Sequence, residues 1–267
     1  MFVKLFLFLI SLSAILKETL WKNWYQALAK YRGQDWRFMN YGYAPLKEKP
    51  TLYLSAEDEK NRLFIQLYCH VLEGFAISGK KVLEVGSGRG GGAEFIARNL
   101  SPASIIGVDF SKNAVDFCNQ LYKRENLSFM EGNAEKLPFE NGSFDVVYNV
   151  ESSHCYGDMK SFVSEVYRVL KPGGVFAWAD LRLKQDLEKD ETIFKESSFN
   201  LISKENITPN VIQALDLISE QKEQAIQERV PKFIQKIFSE FAGVRNSKIF
   251  KGFKDGTMVY WVFRFKK

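Results

Sequence analysis

His154 stands in Asn149-Val150-Glu151-Ser152-Ser153-His154-Cys155-Tyr156, directly past the apolar run Val146-Val147-Tyr148. An imidazole there reads in two ways. It is a general base, because an ordinary pKa of about 6.5 lets it take a proton near neutral pH, or it is a packing residue bonded to backbone. Glu151 would orient that ring, bind a substrate or cap the helix that follows. Farther upstream, Val82 to Gly92 reads VLEVGSGRGGG. Glycines at 86, 88 and 90 let the chain turn tightly and let a ligand approach where a Cβ would collide, and Gly86, Gly88 and Gly91 also satisfy the dinucleotide fingerprint G-x-G-x-x-G. Asp109 closes the next apolar run, where a carboxylate accepts both ribose hydroxyls of an adenosine. Its alternative is to cap the helix after Phe110, a role that Ser111 also fills. Loop and carboxylate suit a nicotinamide dinucleotide and S-adenosylmethionine equally.

The elements that must hold these groups are short apolar runs at 81–85, 104–109, 127–131, 144–150 and 174–181, separated by segments of helical period such as 93–100 and 159–170. Such alternation predicts an α/β fold, a doubly wound and mostly parallel sheet with helices on both faces, seven-stranded once a C-terminal hairpin is added. Asp58 to Ala76 has the spacing of a helix with one buried face, and His70 on it reads as packing or solvated. Near the C-terminus, 247–250 and 258–265 are predicted to form an antiparallel hairpin across Asp255-Gly256. Between Arg182 and Gly243 strand signals are absent, so 183–243 is expected to be a helical insertion covering the substrate. The stripe Ile226, Val230, Phe233, Ile234, Ile237, Phe238 and Phe241 lies within it, and Pro231 should kink it or start a second helix.

At 267 residues, 46% hydrophobic and 26% charged, the chain is a folded protein rather than a disordered one. Its net charge of +5 is scattered, which argues against nucleic acid as a partner, since backbone binding wants a continuous basic stripe. Cys69, Cys118 and Cys155 fit a reducing compartment such as the cytoplasm, and the histidines and cysteines lack metal-ligand spacing. Residues 1–36 form a separate leader. Leu5 to Leu16 is uncharged, but a helix of that length falls short of a hydrocarbon core of about 30 Å. A signal segment, a packed helix and a peripheral membrane contact, helped by Trp21, Trp24 and Tyr25, all remain open.

Gly132 to Asn149, GNAEKLPFENGSFDVVYN, and Glu165 to Asp180, EVYRVLKPGGVFAWAD, resemble the later motifs of class I S-adenosylmethionine-dependent methyltransferases. The resemblance implies that Glu84 takes the methionine amino end and Asp109 the ribose, with the glycine loop, Gly86, Ser87, Gly88 and Gly90, beside the methionine moiety. It implies an adenine site at Asn133, commonly Asp in that family, and the Ala134 amide; an amide oxygen can still accept the adenine amino proton. Phe110, Asn149 and Tyr41 complete the expected cofactor set, and Tyr41 and Tyr43 would close aromatic faces over a cationic sulfonium. The stretches RGGGAEFIARNLSPAS, NVESSHCY, EVYRVLKPGG, ADLR, VPKFIQKIFSEFAGV and FMNYGY further resemble methyltransferases acting on phthiotriol and phenolphthiotriol dimycocerosates. That resemblance covers almost everything after the leader, 37–267, and implies O-methylation of a bulky apolar alcohol with His154 as base. Asp180 and Arg182 emerge toward the same crevice as weaker candidates. C-methylation of a sterol-like or quinone substrate, and a membrane-associated binding protein without turnover, are the alternatives.

Overall fold

The computed structural model describes residues 36–47 and 52–267; the leader, 1–36, lies outside them except for Trp36. A short helix, α1 (Ala56–Glu59), is capped by Ser55, whose hydroxyl accepts from the Asp58 amide, and α2 (Arg62–Val71) follows. Strands and helices then alternate: β1 (Lys81–Val85), α3 (Gly91–Asn99), β2 (Ser104–Asp109), α4 (Lys112–Leu121), β3 (Leu127–Glu131) and β4 (Phe144–Val150). A 3-10 turn at Ser153–Cys155 leads into α5 (Met159–Val169) and β5 (Leu170–Leu183). The remainder is α6 (Lys184–Glu196), β6 (Asn200–Asn206), α7 (Thr208–Arg229), α8 (Lys232–Ala242), α9 (Lys248–Asp255) and β7 (Met258–Lys266).

Among the described residues the sheet has seven strands in the order β3-β2-β1-β4-β5-β7-β6. Strands β1 to β5 pair in parallel, while β7 runs antiparallel between β5 and β6. Parallel strands covered on both faces must be apolar on both, and β4 shows it. Val146 and Tyr148 join one buried cluster, Val147 joins the other. Strand β7 alternates likewise, sending Tyr260 and Val262 to the first face and Phe263 and Phe265 to an aromatic group around Trp178 and Phe194 on the second. Chain order reverses between β1 and β4, which opens a crevice outside their carboxyl ends.

Two expectations change. The hairpin does not form from 247–250, because Ser247 caps α9 by accepting from the Phe250 amide at 3.1 Å. Four residues are too few to separate a strand period from a helical one. Besides β5, the antiparallel partner of β7 is β6, placed inside the stretch expected to be helical throughout. Its sequence, NLISKEN, carries no apolar alternation because it is an edge strand exposed on one side and no more than half-buried on the other. Pro231 starts a second helix, α8, which Gly243 ends in a left-handed cap at φ 66°.

Candidate active site

The loop after β1 is shaped by three left-handed glycines, with φ of 78° at Gly86, 51° at Gly88 and 74° at Gly90. A Cβ on Gly86 would sit 2.1 Å from Ser152 Oγ, so only glycine lets this loop meet the β4 turn. At Gly88 the missing Cβ leaves room instead, with Met39 Sδ its nearest neighbour at 3.5 Å. Asp109 fixes the loop from the side. Its Oδ2 accepts from the Gly88 amide at 2.8 Å and its Oδ1 from the Ser111 amide at 2.9 Å. Ser111 caps α4 itself, accepting from Ala114, so Asp109 is not spent as the cap. Each carboxylate oxygen keeps a further acceptor site.

These groups border a cavity of about 500 Å³ over the carboxyl ends of β1, β2 and β4. Gly86, Ser87, Gly88, Asp109 and Phe110 line one side, and Asn133 with Ala134 closes the end of β3. Tyr41, Glu151 and His154 line the other. Residues 36–41 run across as a strap: Gly91 donates to Arg37 O at 3.2 Å, Tyr41 donates its amide to Glu151 Oε2 at 2.6 Å, and Arg89 Nε donates to Trp36 O. Tyr41 also donates its hydroxyl to Phe241 O at 3.0 Å. On the His154 side, Val150, Cys155, Leu181 and Phe241 make the lining apolar.

His154 sits in the 3-10 turn with Nδ1 2.8 Å from Asp180 Oδ1, and its backbone N–H donates to Asp180 Oδ2 at 2.9 Å. Asp180 is fully buried and is held in turn by Ser153 Oγ at 2.6 Å and Arg182 Nη1 at 3.0 Å. Burial alone would raise the Asp180 carboxyl; the charges of Arg182 and His154 overcome it and hold the group well below the usual carboxylate range. Burial alone would lower the His154 imidazole, but the Cys155 sulfur and the Asp180 carboxylate outweigh it and raise it. Asp180 therefore orients the ring. Glu151 accepts from the strap, and burial with the nearby Asp180 charge pushes it up to about 8 against the pull of His154. The register Val150↔Ala179 explains the neighbourhood, since it sets Glu151 and Asp180 side by side just past paired strand residues.

Several expected residues stand behind the wall. Glu84 is 1% exposed, and burial pushes its carboxyl up to about 8 despite pulls from Tyr68, Tyr148 and the Ala93 amide. Neither tyrosine closes a bond of ordinary geometry, so both Glu84 oxygens are left without a hydrogen bond. Asn149 donates to Val85 O at 2.8 Å and Ser152 Oγ at 2.6 Å, bracing the β1 and β4 ends rather than facing the cavity. Gly90 is small because of Phe129, whose ring a Cβ would meet at 2.7 Å. Tyr43 does not close over the site; it stacks on buried His70 with ring centroids 4.3 Å apart. Arg182 is buried against Asp190 and over the Trp178 ring, a brace for Asp180 rather than a cavity residue. Trp36 and Met39 line the cavity without having been singled out in the sequence, since neither belongs to the glycine loop or to a strand end, although Met39 lies within FMNYGY.

These residues fit an adenosyl sulfonium: a carboxylate with spare acceptor sites at the ribose position, a glycine opening beside it, Tyr41 on the facing wall, and, behind the glycine loop, the orphaned Glu84 carboxyl, whose charge would favour an amino group. The methyltransferase domain family matches residues 83–178. The phthiotriol/phenolphthiotriol dimycocerosates methyltransferase of Mycobacterium leprae is 36% identical over 253 residues, 94% of this chain and 93% of its own. The fatty-acid O-methyltransferase of Mycolicibacterium smegmatis is 33% identical over 243 residues, 90% of this chain and 87% of its own. Geranyl diphosphate C-methyltransferase from Streptomyces coelicolor A3(2), solved with S-adenosyl-L-homocysteine, shares the fold, with a TM-score of 0.65, 17% identity and coverage of 91% of this chain and 97% of that one. The chain is thus an S-adenosylmethionine-dependent methyltransferase and belongs to the family of the phthiotriol/phenolphthiotriol dimycocerosates methyltransferases.

Proposed function

We propose that this enzyme methylates a hydroxyl oxygen on a lipidic or polyketide-like molecule. The observation that carries the reading is His154 on the cavity wall with Nδ1 2.8 Å from the buried Asp180 carboxylate. That contact favours the tautomer protonated on Nδ1 and makes Nε2 the basic atom. An alcohol is a weak nucleophile until its proton leaves, and His154 takes it as the oxygen approaches. The cofactor supplies an electrophilic methyl on sulfur. Asp109, the glycine loop and the Ala134 amide hold the adenosyl end, Glu84 lies toward the amino end, and the strap excludes water; alignment of the two reactants contributes most of the acceleration. The apolar lining at Val150, Leu181 and Phe241 suits an acceptor with a greasy body; of the stretch 183–243 it is Phe241 on α8 that reaches the cavity. Relatives named for phthiotriol and fatty-acid methylation support an acceptor of this class. Incubation with methyl-labelled cofactor and a lipid extract, followed by product fragmentation, should find the label on oxygen. A label on carbon, or no labelled lipid, would overturn the reading. On the same reading the apolar leader adds peripheral contact with the cytoplasmic face of a membrane, and identical fractionation of full-length and leader-deleted chains would count against it.

A further inference from the structure

Helix α8 carries Phe233, Ile234, Ile237, Phe238 and Phe241 at the three-and-four spacing of a helix that hides one face. None of its residues is buried. Phe233 is 85% exposed, although core burial is where such a ring is most stabilising. The other end of the same stripe is not idle: Phe241 lines the active-site cavity, and its carbonyl accepts the Tyr41 hydroxyl. A continuous apolar track thus leads from an exposed helix start to the reaction chamber. The polar margin is basic at that start, where Lys232 and Lys236 are exposed. Glu228 and Glu240 flank this margin, accepting from Gln224 Nε2 and the Lys248 amide, both at 2.7 Å, and keep their charges, so the excess of cations is confined to the Lys232 and Lys236 turn. Lysine on one face with Phe and Ile on the other is the pattern of a helix lying in a membrane interface, and the basic margin complements an anionic leaflet.

We propose that α8 docks the enzyme flat on an anionic phospholipid surface. Phe233 and Ile237 enter the headgroup boundary, and the alkyl part of the acceptor passes along the stripe to Phe241 and His154. The passage rests on the lipid reading above; the docking does not. The test uses the full chain and vesicles of equal phosphatidylglycerol and phosphatidylcholine without acceptor, so that failure of docking is separate from failure of the methylation assay. Phe233→Asp should lower the vesicle partition coefficient about ten-fold or more, with cofactor affinity unchanged as the folding control. Phe233→Ser serves if the charged variant loses cofactor binding. Lys232→Glu with Lys236→Glu should lower partition on these vesicles and leave it unchanged on pure phosphatidylcholine. Equal partition of Phe233 variants and parent, no partition by the parent, or loss of a lipid-free dimer in Phe233→Asp without change in partition would each overturn the proposal; the last would make the face a contact between copies.

Discussion

An imidazole held by a buried carboxylate gives up its proton less readily than a solvated one. Because Asp180 and Cys155 raise His154, the neutral form needed to accept a proton is scarce at neutral pH. Turnover should therefore climb with pH along a limb lying above about 6.5, the ordinary imidazole value. In Asp180→Asn that limb should move down while kcat falls, a combination that a purely packing role would not produce. His154→Ala should cut kcat by about 10²- to 10⁴-fold with cofactor affinity intact, and near-normal turnover would assign it a structural role. At the ribose position Asp109→Ala should weaken cofactor binding by roughly 2 to 4 kcal/mol, read by calorimetry, if two charge-assisted bonds are lost. His154, Glu151 and Asp109 were legible because each follows directly on an apolar strand signal. Asp180 was visible as a carboxylate at a strand end but not as the partner of a histidine 26 residues earlier, since only the β4–β5 register brings the two together.

At the scale of elements, the parallel part of the sheet was open to reading because each strand is buried on both faces and so appears as a continuous apolar run. Strands β1 to β4 occupy the expected spans. Strand β6 stayed hidden for the opposite reason, as its edge position imposes no pattern on NLISKEN. The glycine loop offers a direct test of turn geometry. Gly86→Ala combines a left-handed φ of 78° with a Cβ 2.1 Å from Ser152 Oγ, and should destabilise the fold by about 1 kcal/mol or more and weaken cofactor binding. Ser247→Ala removes the α9 cap and should cost about 1 kcal/mol, a fall in Tm of roughly 2–4 °C by calorimetric scan. An unchanged Tm would remove Ser247 as the feature that turned an expected strand into a helix.

Across the whole molecule, the buried ionisable groups set how stability answers to pH. Glu84 and Glu151, raised to about 8, and His154, also raised, bind protons more tightly folded than unfolded. The stability they support is full below their unfolded values and is lost as pH rises through the folded ones. Asp180 acts in reverse, its contribution present above an unfolded value near 3.8 and lost as pH falls below it. Tm should thus be highest in mildly acidic solution and decline toward pH 9. Saturating cofactor should soften that decline if its amino end pairs with Glu84, and calorimetry in buffers of different ionisation enthalpy should then detect proton release on binding. The strap governs a different quantity. Tyr41 is tied to Glu151, Arg37 to Gly91 and Trp36 to Arg89 beside the cavity, so breaking these bonds, as in Glu151→Gln, should quicken departure of the spent nucleoside if this stretch must peel away first. A rapid burst of one product equivalent before the steady state would show that each cycle ends on a slow exit, and the His154 pH limb would then be read from the burst rate; its absence would leave chemistry as the slow step.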